Sequence, residues 1–382
     1  MFPTPRGERH VRSGGRSTIA MLSTFPPTPC GIATFAAALQ GSLERLGFAV
    51  HAVELAEDAR RDGTAPVALS ERRDQIAALN AADLALIQHE YGIYDGTDGE
   101  VVLDIVAALT HPPIVVAHTV RQSPTSHQRE VLEALAAAAA QVVVMSDFAQ
   151  RCLLETYTVD PTKVVVIPHG AADLVARPHL PRATDALLTW GLLGPGKGIE
   201  WAIDALSILQ RRGEVVPDYL VAGRTHPKVL ARSGEAYRRS LEDRVASAGL
   251  TAAVRFDPTY RDVAGLAELL DAASMVVLPY DSTDQVTSGV LVDAVAAGVP
   301  VLATTFPHAV ELLSSGAGVL VEPKRPDAIA DALSTIAAHP ERLASMAEVA
   351  LALGPDLRWD AVAARYGQLA TEVVGARSLV SR

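Results

Sequence analysis

Short runs of β-branched and other apolar residues alternate along this chain with longer stretches that place apolar residues three and four positions apart. That alternation leaves few folds open. The first series of runs lies at 18–22, 50–54, 84–88, 114–118, 142–145 and 164–167, with helical spacing over 33–46, 101–109, 127–139 and 148–156. Strands that alternate with helices in this way form parallel sheets with crossover helices on both faces. After Gly170 the segment AADLVARPHLPRATDA holds two prolines and no periodicity, and reads as a linker. The pattern then restarts, with strands expected at 187–192, 219–222, 254–257, 275–278, 301–304 and 318–321, and helices at 200–210, 235–248, 264–271, 291–297 and 327–337. Two further helices, 340–351 and 359–373, close the chain without another strand.

This pattern gives an α/β chain of two Rossmann-like, doubly wound, parallel-sheet domains that face each other across a cleft. The division expected is a tail over 1–16, a first domain over 17–182, a second over 183–354, and a terminal helix over 355–382 that packs back on the first domain. A length of 382 residues agrees, because it exceeds the roughly 250 to 300 residues at which one core usually splits. A cleft where the carboxyl ends of two such sheets face each other is a ligand site.

Composition removes several classes of function. With 33 Lys and Arg against 44 Asp and Glu, the net charge is −11 and no stretch is dense in basic residues, so no nucleic-acid partner is expected. Cys30 and Cys152 are the only cysteines, too few for a disulfide framework, and the eleven histidines lack metal-ligand spacing, so no metal site is expected. A reducing cytoplasm fits that usage. No apolar segment follows the charged head MFPTPRGERHVRSGGR, and no apolar run reaches the about 20 residues a bilayer span needs, so neither a leader nor a transmembrane segment is expected. Peripheral contact with the inner face of a membrane stays open through Arg60, Arg61, Arg72 and Arg73, which are as readily a solvated face.

Three stretches could carry chemistry. TWGLLGPGKGIE runs from a strand through a glycine-rich turn into a helix, and its Lys197 is one of four lysines in the chain. Backbone N–H groups at a helix start beside a lysine make a phosphate site. Gly198 stands where a P-loop needs Ser or Thr, which disfavours an ATPase or kinase, and Ile199 breaks the dinucleotide fingerprint. The plain alternative is a capping turn with a solvated lysine. In LPYDSTDQVTSGVLVDAVAAGVPV a buried strand meets a polar loop and a helix that starts near Ser288 and Gly289, with Gln285 on the loop and Asp293 one turn on. Helix-start N–H groups there can hold a second anionic or hydroxyl-rich group; otherwise Gln285 and Asp293 are solvated polar residues. In the first half, STFPPTPCGIATF puts Gly31 at a helix start, and His89, His118 and His169 all stand at carboxyl ends of expected strands. Arg224 and His226 follow the 219–222 strand in the same way.

In this order the motifs are fairly specific: Gly31, His118, IPHGAAD, KGIEWAIDAL, LPY, then DAVAAGVPVLAT leading to Glu311 and GVLVEP. Over almost the whole chain, from Ser17 to Val374, the protein resembles the retaining family-4 glycosyltransferases of the GT-B fold. The resemblance implies transfer of a sugar from a nucleotide-diphosphate donor, such as a GDP- or UDP-sugar, to an acceptor hydroxyl with the anomeric configuration kept. No cofactor and no metal are implied, and the Asp-x-Asp motif of metal-dependent transferases is absent.

By position, Lys197, His118 and Gln285 would be catalytic. Lys197 would neutralise the departing diphosphate, His118 would contact the transferred sugar, and Gly31 would let backbone approach the phosphate. Gly198, Arg224, Ser288, Gly289, Asp293 and Glu311 would complete the donor site. Two departures stand out. Gln285 and Asp293 occupy places where the family usually has glutamates, and Leu192 stands where an arginine is common, so Arg224 is a candidate for the missing charge. The runs HEYGIYDG, QVTSG, THP and GEAYRR resemble a bacterial subgroup associated with mannoside metabolism, which implies a mannosyltransferase-like enzyme. The acceptor would be a glycan, a lipid-linked sugar or a small molecule. Same-fold alternatives are a sugar-nucleotide epimerase or hydrolase, a non-catalytic sugar-nucleotide-binding protein, or an inactive partner subunit.

Overall fold

The structure, a computed structural model, describes residues 17–28, 30–55, 69–172, 174, 186–259, 261–281 and 287–380. The apolar runs of the first half become six parallel strands: β1 (Thr18–Ser23), β2 (Ala49–Glu54), β3 (Leu84–His89), β4 (Ile114–Ala117), β5 (Gln141–Val144) and β6 (Val164–Val166). They pair in the order β2-β1-β3-β4-β5-β6. Continuous burial along β3 and β4 explains their unbroken apolar sequence, since a parallel strand covered on both faces has no solvent side to alternate with. One face of the sheet is covered by α2 (Leu69–Ala81), α3 (Val101–Ala107), α4 (Ser126–Ala138) and α5 (Asp147–Thr156). The other packs on α1 (Gly31–Arg45).

The second half repeats the plan with β7 (Ala186–Trp190), β8 (Asp218–Ala222), β9 (Val254–Asp257), β10 (Met275–Leu278), β11 (Val301–Thr304) and β12 (Gly318–Val321). Their order is β12-β11-β10-β7-β8-β9, again all parallel. Around them lie α6 (Ile199–Arg212), α7 (Pro227–Ser233), α8 (Ala236–Ser247), α9 (Val263–Ala272), α10 (Gly289–Ala296), α11 (Pro307–Leu313), α12 (Pro326–Ala338) and α13 (Pro340–Leu357). In each sheet the chain reverses its direction of winding at one point, between β1 and β3 and between β7 and β10. Connections leave to opposite faces there, so the carboxyl ends of those two strands part and open a crevice.

The chain crosses between the sheets twice, near 171 and near 358, and the two crossings are bonded to each other. Ala171 N–H donates to Leu357 O at 2.7 Å, and Trp359 N–H donates to Ala171 O at 3.2 Å. The last helix, α14 (Trp359–Val380), lies along α1, with Trp359, Val362, Tyr366, Leu369 and Val373 in one core with Phe35, Leu39 and Leu43. Gly170 is needed at this crossing, because a Cβ there would fall 2.2 Å from the Trp359 ring. Helix α13 runs past Gly354 and Pro355, beyond the expected end at 351. Gly354 lets it approach α10, since a Cβ would come within 2.9 Å of Ala296 O.

Candidate functional site

The two stretches singled out in the second half flank the β7/β10 switch point. After β7, Gly191, Gly196 and Gly198 all hold positive φ, at 119°, 90° and 65°. Gly198 is the N-cap of α6 and packs against the end of β10 so closely that a Cβ would meet Pro279 O at 1.7 Å. The loops are tied together by Asp281 N–H, which donates to Gly196 O at 3.0 Å, and by Trp201 Nε1, which donates to Asp281 Oδ1 at 2.6 Å. Lys197 projects its Nζ over the ring of Tyr280, 4.4 Å from the centroid. Tyr280 is buried and stacks on Phe306. The lysine thus rests on an aromatic face with no carboxylate paired to it among the described residues, so its charge is available to an anion.

Ser288 caps α10 by accepting from Leu291 N–H at 3.3 Å, and its own N–H donates to His308 Nδ1 at 2.9 Å. Of the first four amides at this helix end, Gly289 and Val290 remain without a partner among the described residues. The Ser288 N–H is committed to His308, a residue the sequence reading did not single out because the two lie 20 positions apart. Burial, with a smaller contribution from His169, pushes His308 down to about 3, so it is a neutral acceptor.

His169 comes from the first domain to lie over Gly289, where a Cβ would stand 2.9 Å from its Cε1. Its Nδ1 donates to Gly170 O at 2.8 Å, and burial lowers it to about 4. Phe35 packs steeply inclined against both His118 and His169, at 4.7 and 5.1 Å between centroids. His118 Nε2 donates to Gln88 Oε1 at 2.7 Å. Burial first, then His169 and His89, pushes the His118 imidazole down to about 3. At Gly31 a Cβ would meet nothing within 4 Å, so the start of α1 is open.

The remaining expected residues are placed as follows. Gln285 lies outside the described residues. Arg224 is exposed just after β8, and its carbonyl accepts from Leu193 N–H at 2.9 Å. Beyond it His226, lowered by burial, Lys228 and Lys197, stands near both lysines. Lys228 Nζ reaches the first domain, 2.8 Å from where a Cβ on Gly92 would be. Asp293 Oδ1 accepts from Ala172 N–H at 3.0 Å, and burial raises its carboxyl to about 7 despite that bond. Glu311 reaches the first domain, where its two oxygens accept from Asp147 N–H at 2.9 Å and Phe148 N–H at 2.8 Å. Lys197, Gly198, Ser288 and Gly289 thus gather at the switch point, while Asp293 and Glu311 bond backbone of the crossing and of the first domain. Among the described residues no group of three or more His, Cys, Asp or Glu is placed to hold a metal ion, and no helix is long and apolar enough to cross a membrane.

Two tandem parallel sheets around a shared crevice define the GT-B architecture, and residues 184–339 match the family model of glycosyl transferases group 1. The chain therefore has the GT-B fold, and its second half is similar to the glycosyl transferases group 1. Among curated proteins it is similar to D-inositol 3-phosphate glycosyltransferase of Streptomyces griseus, 29% identical over 207 residues, which is 53% of this chain and 42% of that protein. The protein of the same name from Corynebacterium glutamicum is 26% identical over 340 residues, covering 78% of this chain and 77% of its own. The match thus spans less than half the length of the Streptomyces relative. Among solved structures, sucrose-phosphate synthase from Thermosynechococcus elongatus superposes with a TM-score of 0.73 at 20% identity, over 94% of this chain and 100% of that one. Anabaena HepE in complex with UDP and glucose gives the same TM-score at 16% identity, over 94% and 100%.

Proposed function

We propose that the protein is a glycosyltransferase that moves a sugar from a nucleotide-diphosphate donor, a UDP- or GDP-sugar, to an acceptor hydroxyl with retention of anomeric configuration. One observation carries the reading: Lys197, on the face of Tyr280, stands at a switch point with the Gly289 and Val290 amides of α10, and none of the three has a partner among the described residues. Cleavage of the glycosidic bond puts negative charge on the departing diphosphate. A fixed cation and two oriented helix-start amides stabilise that charge without reorganising, which lowers the barrier for the step that creates it. The reading needs no metal and no cofactor besides the donor, because the chain's own groups supply the positive potential.

His118 faces the same crevice from the first domain and contacts the transferred sugar. The acceptor hydroxyl attacks from the side the nucleotide leaves, in a site closed to water by approach of the two domains. The likeness to D-inositol 3-phosphate glycosyltransferases and to a structure holding UDP and glucose supports a sugar-nucleotide donor. The mannosyl character, the cytoplasmic location and an acceptor presented as a glycan, a lipid-linked sugar or a small molecule belong to the same proposal. A second reading, a non-catalytic sugar-nucleotide-binding protein, is favoured by Asp293, whose Oδ1 is already taken up by Ala172 N–H.

The test is transfer of radiolabel from UDP- and GDP-sugars to a glycan and polyol panel, with Lys197→Ala alongside. Wild type should transfer or slowly hydrolyse one donor, and the variant should lose about a hundredfold or more in rate at an unchanged thermal midpoint. Binding without turnover supports the second reading. Neither binding nor turnover with any of these donors overturns both.

A further inference from the structure

The carboxyl end of β3 holds a buried amide whose one side-chain hydrogen bond is to an imidazole. Gln88 is fully buried, and its Oε1 accepts from His118 Nε2 at 2.7 Å, while its Nε2 is sealed from solvent without a partner among the described residues. A buried amide N–H left unsatisfied costs free energy, so an apolar side chain would suit that position better if packing alone were at stake. The backbone adds to the arrangement. His118 N–H donates to His89 O at 2.9 Å, and the Phe35 ring packs against the imidazole at 82° to its plane. The ring is thus held at its Nε2 corner and by the Phe35 ring.

An amide oxygen can only accept, so the proton of the neutral imidazole resides on Nε2 and the lone pair on Nδ1. Nδ1 has no partner among the described residues. The titratable groups facing His118 are His89 on β3 and His169 after β6, both lowered to about 4 by burial. No carboxylate contributes to its state.

We propose that Gln88 is a positioning residue: it holds His118 as the Nε2–H tautomer, so that Nδ1 meets the ligand as a hydrogen-bond acceptor and selects a sugar hydroxyl, a donor, at that point. The proposal rests on the reading that His118 touches the transferred sugar. It specifies the chemistry of that contact, because the opposite tautomer would present an N–H and prefer an acceptor such as a carbonyl or phosphate oxygen.

The test reads the tautomer directly in the ligand-free, 15N-labelled full-length chain by long-range proton–nitrogen correlation, with His118→Asn to assign the signals. Wild type should show Nε2 protonated and Nδ1 bare. Gln88→Leu, similar in size and lacking the acceptor, should shift His118 to a mixture of tautomers. Gln88→Glu, which keeps an acceptor oxygen, should restore the Nε2–H form. With the donor that wild type turns over, Gln88→Leu should lower kcat/KM about tenfold, the loss expected when one fixed hydrogen bond is no longer pre-formed. Wild-type His118 protonated on Nδ1, or a tautomer or kcat/KM unchanged in Gln88→Leu, overturns the proposal. The spectra need no turnover, so failure of the glycosyltransferase reading is seen separately as silence with every donor.

Discussion

Gly198 shows how one missing side chain sets the geometry of the whole crevice. Its φ of 65° alone would cost another residue about 1 to 2 kcal/mol, but its position against Pro279 O adds a contact of 1.7 Å that only a shift of backbone can relieve. Gly196, two residues earlier at φ 90°, has nothing within 4 Å of its Cβ position. Gly196→Ala should therefore cost about 1 to 2 kcal/mol in urea unfolding, and Gly198→Ala clearly more, with α6 displaced from β10 and donor affinity lost. Equal losses at the two sites would refute the argument from close approach. The glycine-rich turn was legible in sequence because strand, glycines, a scarce lysine and helix stand side by side in TWGLLGPGKGIE. The partners that complete it were not. Tyr280 beneath Lys197, His308 on the Ser288 amide and Gln88 on His118 come from elements 83, 20 and 30 positions away, and a linear pattern has no signal for such pairs.

At the scale of elements, the strands were the most readable, since the central ones, β3, β4, β10 and β11, are buried runs that a parallel sheet demands, and the edge strands keep the same β-branched character. Three helices were missed for definite reasons. Helices α7 and α11 have seven residues each, fewer than two full turns of periodicity need, and α2 reads LSERRDQIAALNA with a largely polar surface. Helix α11 nonetheless carries Glu311, whose carboxylate supplies α5 with the end cap that its own domain provides only in part through Ser146. An anion at a helix start is favoured by the amides and by the helix dipole, so this contact fastens one domain to the other. Glu311→Ala should cost about 1 kcal/mol and speed hydrogen exchange at the Asp147 and Phe148 amides without changing UDP affinity. Exchange left unchanged with UDP affinity lost would instead make Glu311 a donor ligand, as the family resemblance implies.

Across the whole molecule the seam between the sheets is lined by imidazoles held neutral. His89 and His169 are lowered to about 4, and His118 and His308 to about 3, each mainly by burial and from an ordinary 6.5. Groups with depressed folded values contribute stability that is present above 6.5 and lost as pH falls, because between 6.5 and about 4 the unfolded chain binds protons that the folded chain excludes. Asp293 acts in the opposite sense: raised from 3.8 to about 7, it keeps its proton in the folded state, and its contribution is full below 3.8 and lost as pH rises through 7. His127, raised chiefly by its bonds to Asp98 and Glu100, acts in the same sense as Asp293 near pH 6.5, where the unfolded imidazole is only half charged, and drops out at lower pH where both states are charged. Four imidazoles, with His226 lowered in the same sense, outweigh Asp293 and leave unfolding with a net uptake of protons between pH 6.5 and 4. The unfolding free energy from urea titrations should accordingly fall by more than about 1 kcal/mol per pH unit from pH 6.5 to 5. His308→Asn, whose amide oxygen can still accept from Ser288 N–H, should flatten that slope, because it removes one of the titrating rings while keeping the α10 cap. A free energy level or rising toward acid would mean that these rings already take up their protons in the folded protein.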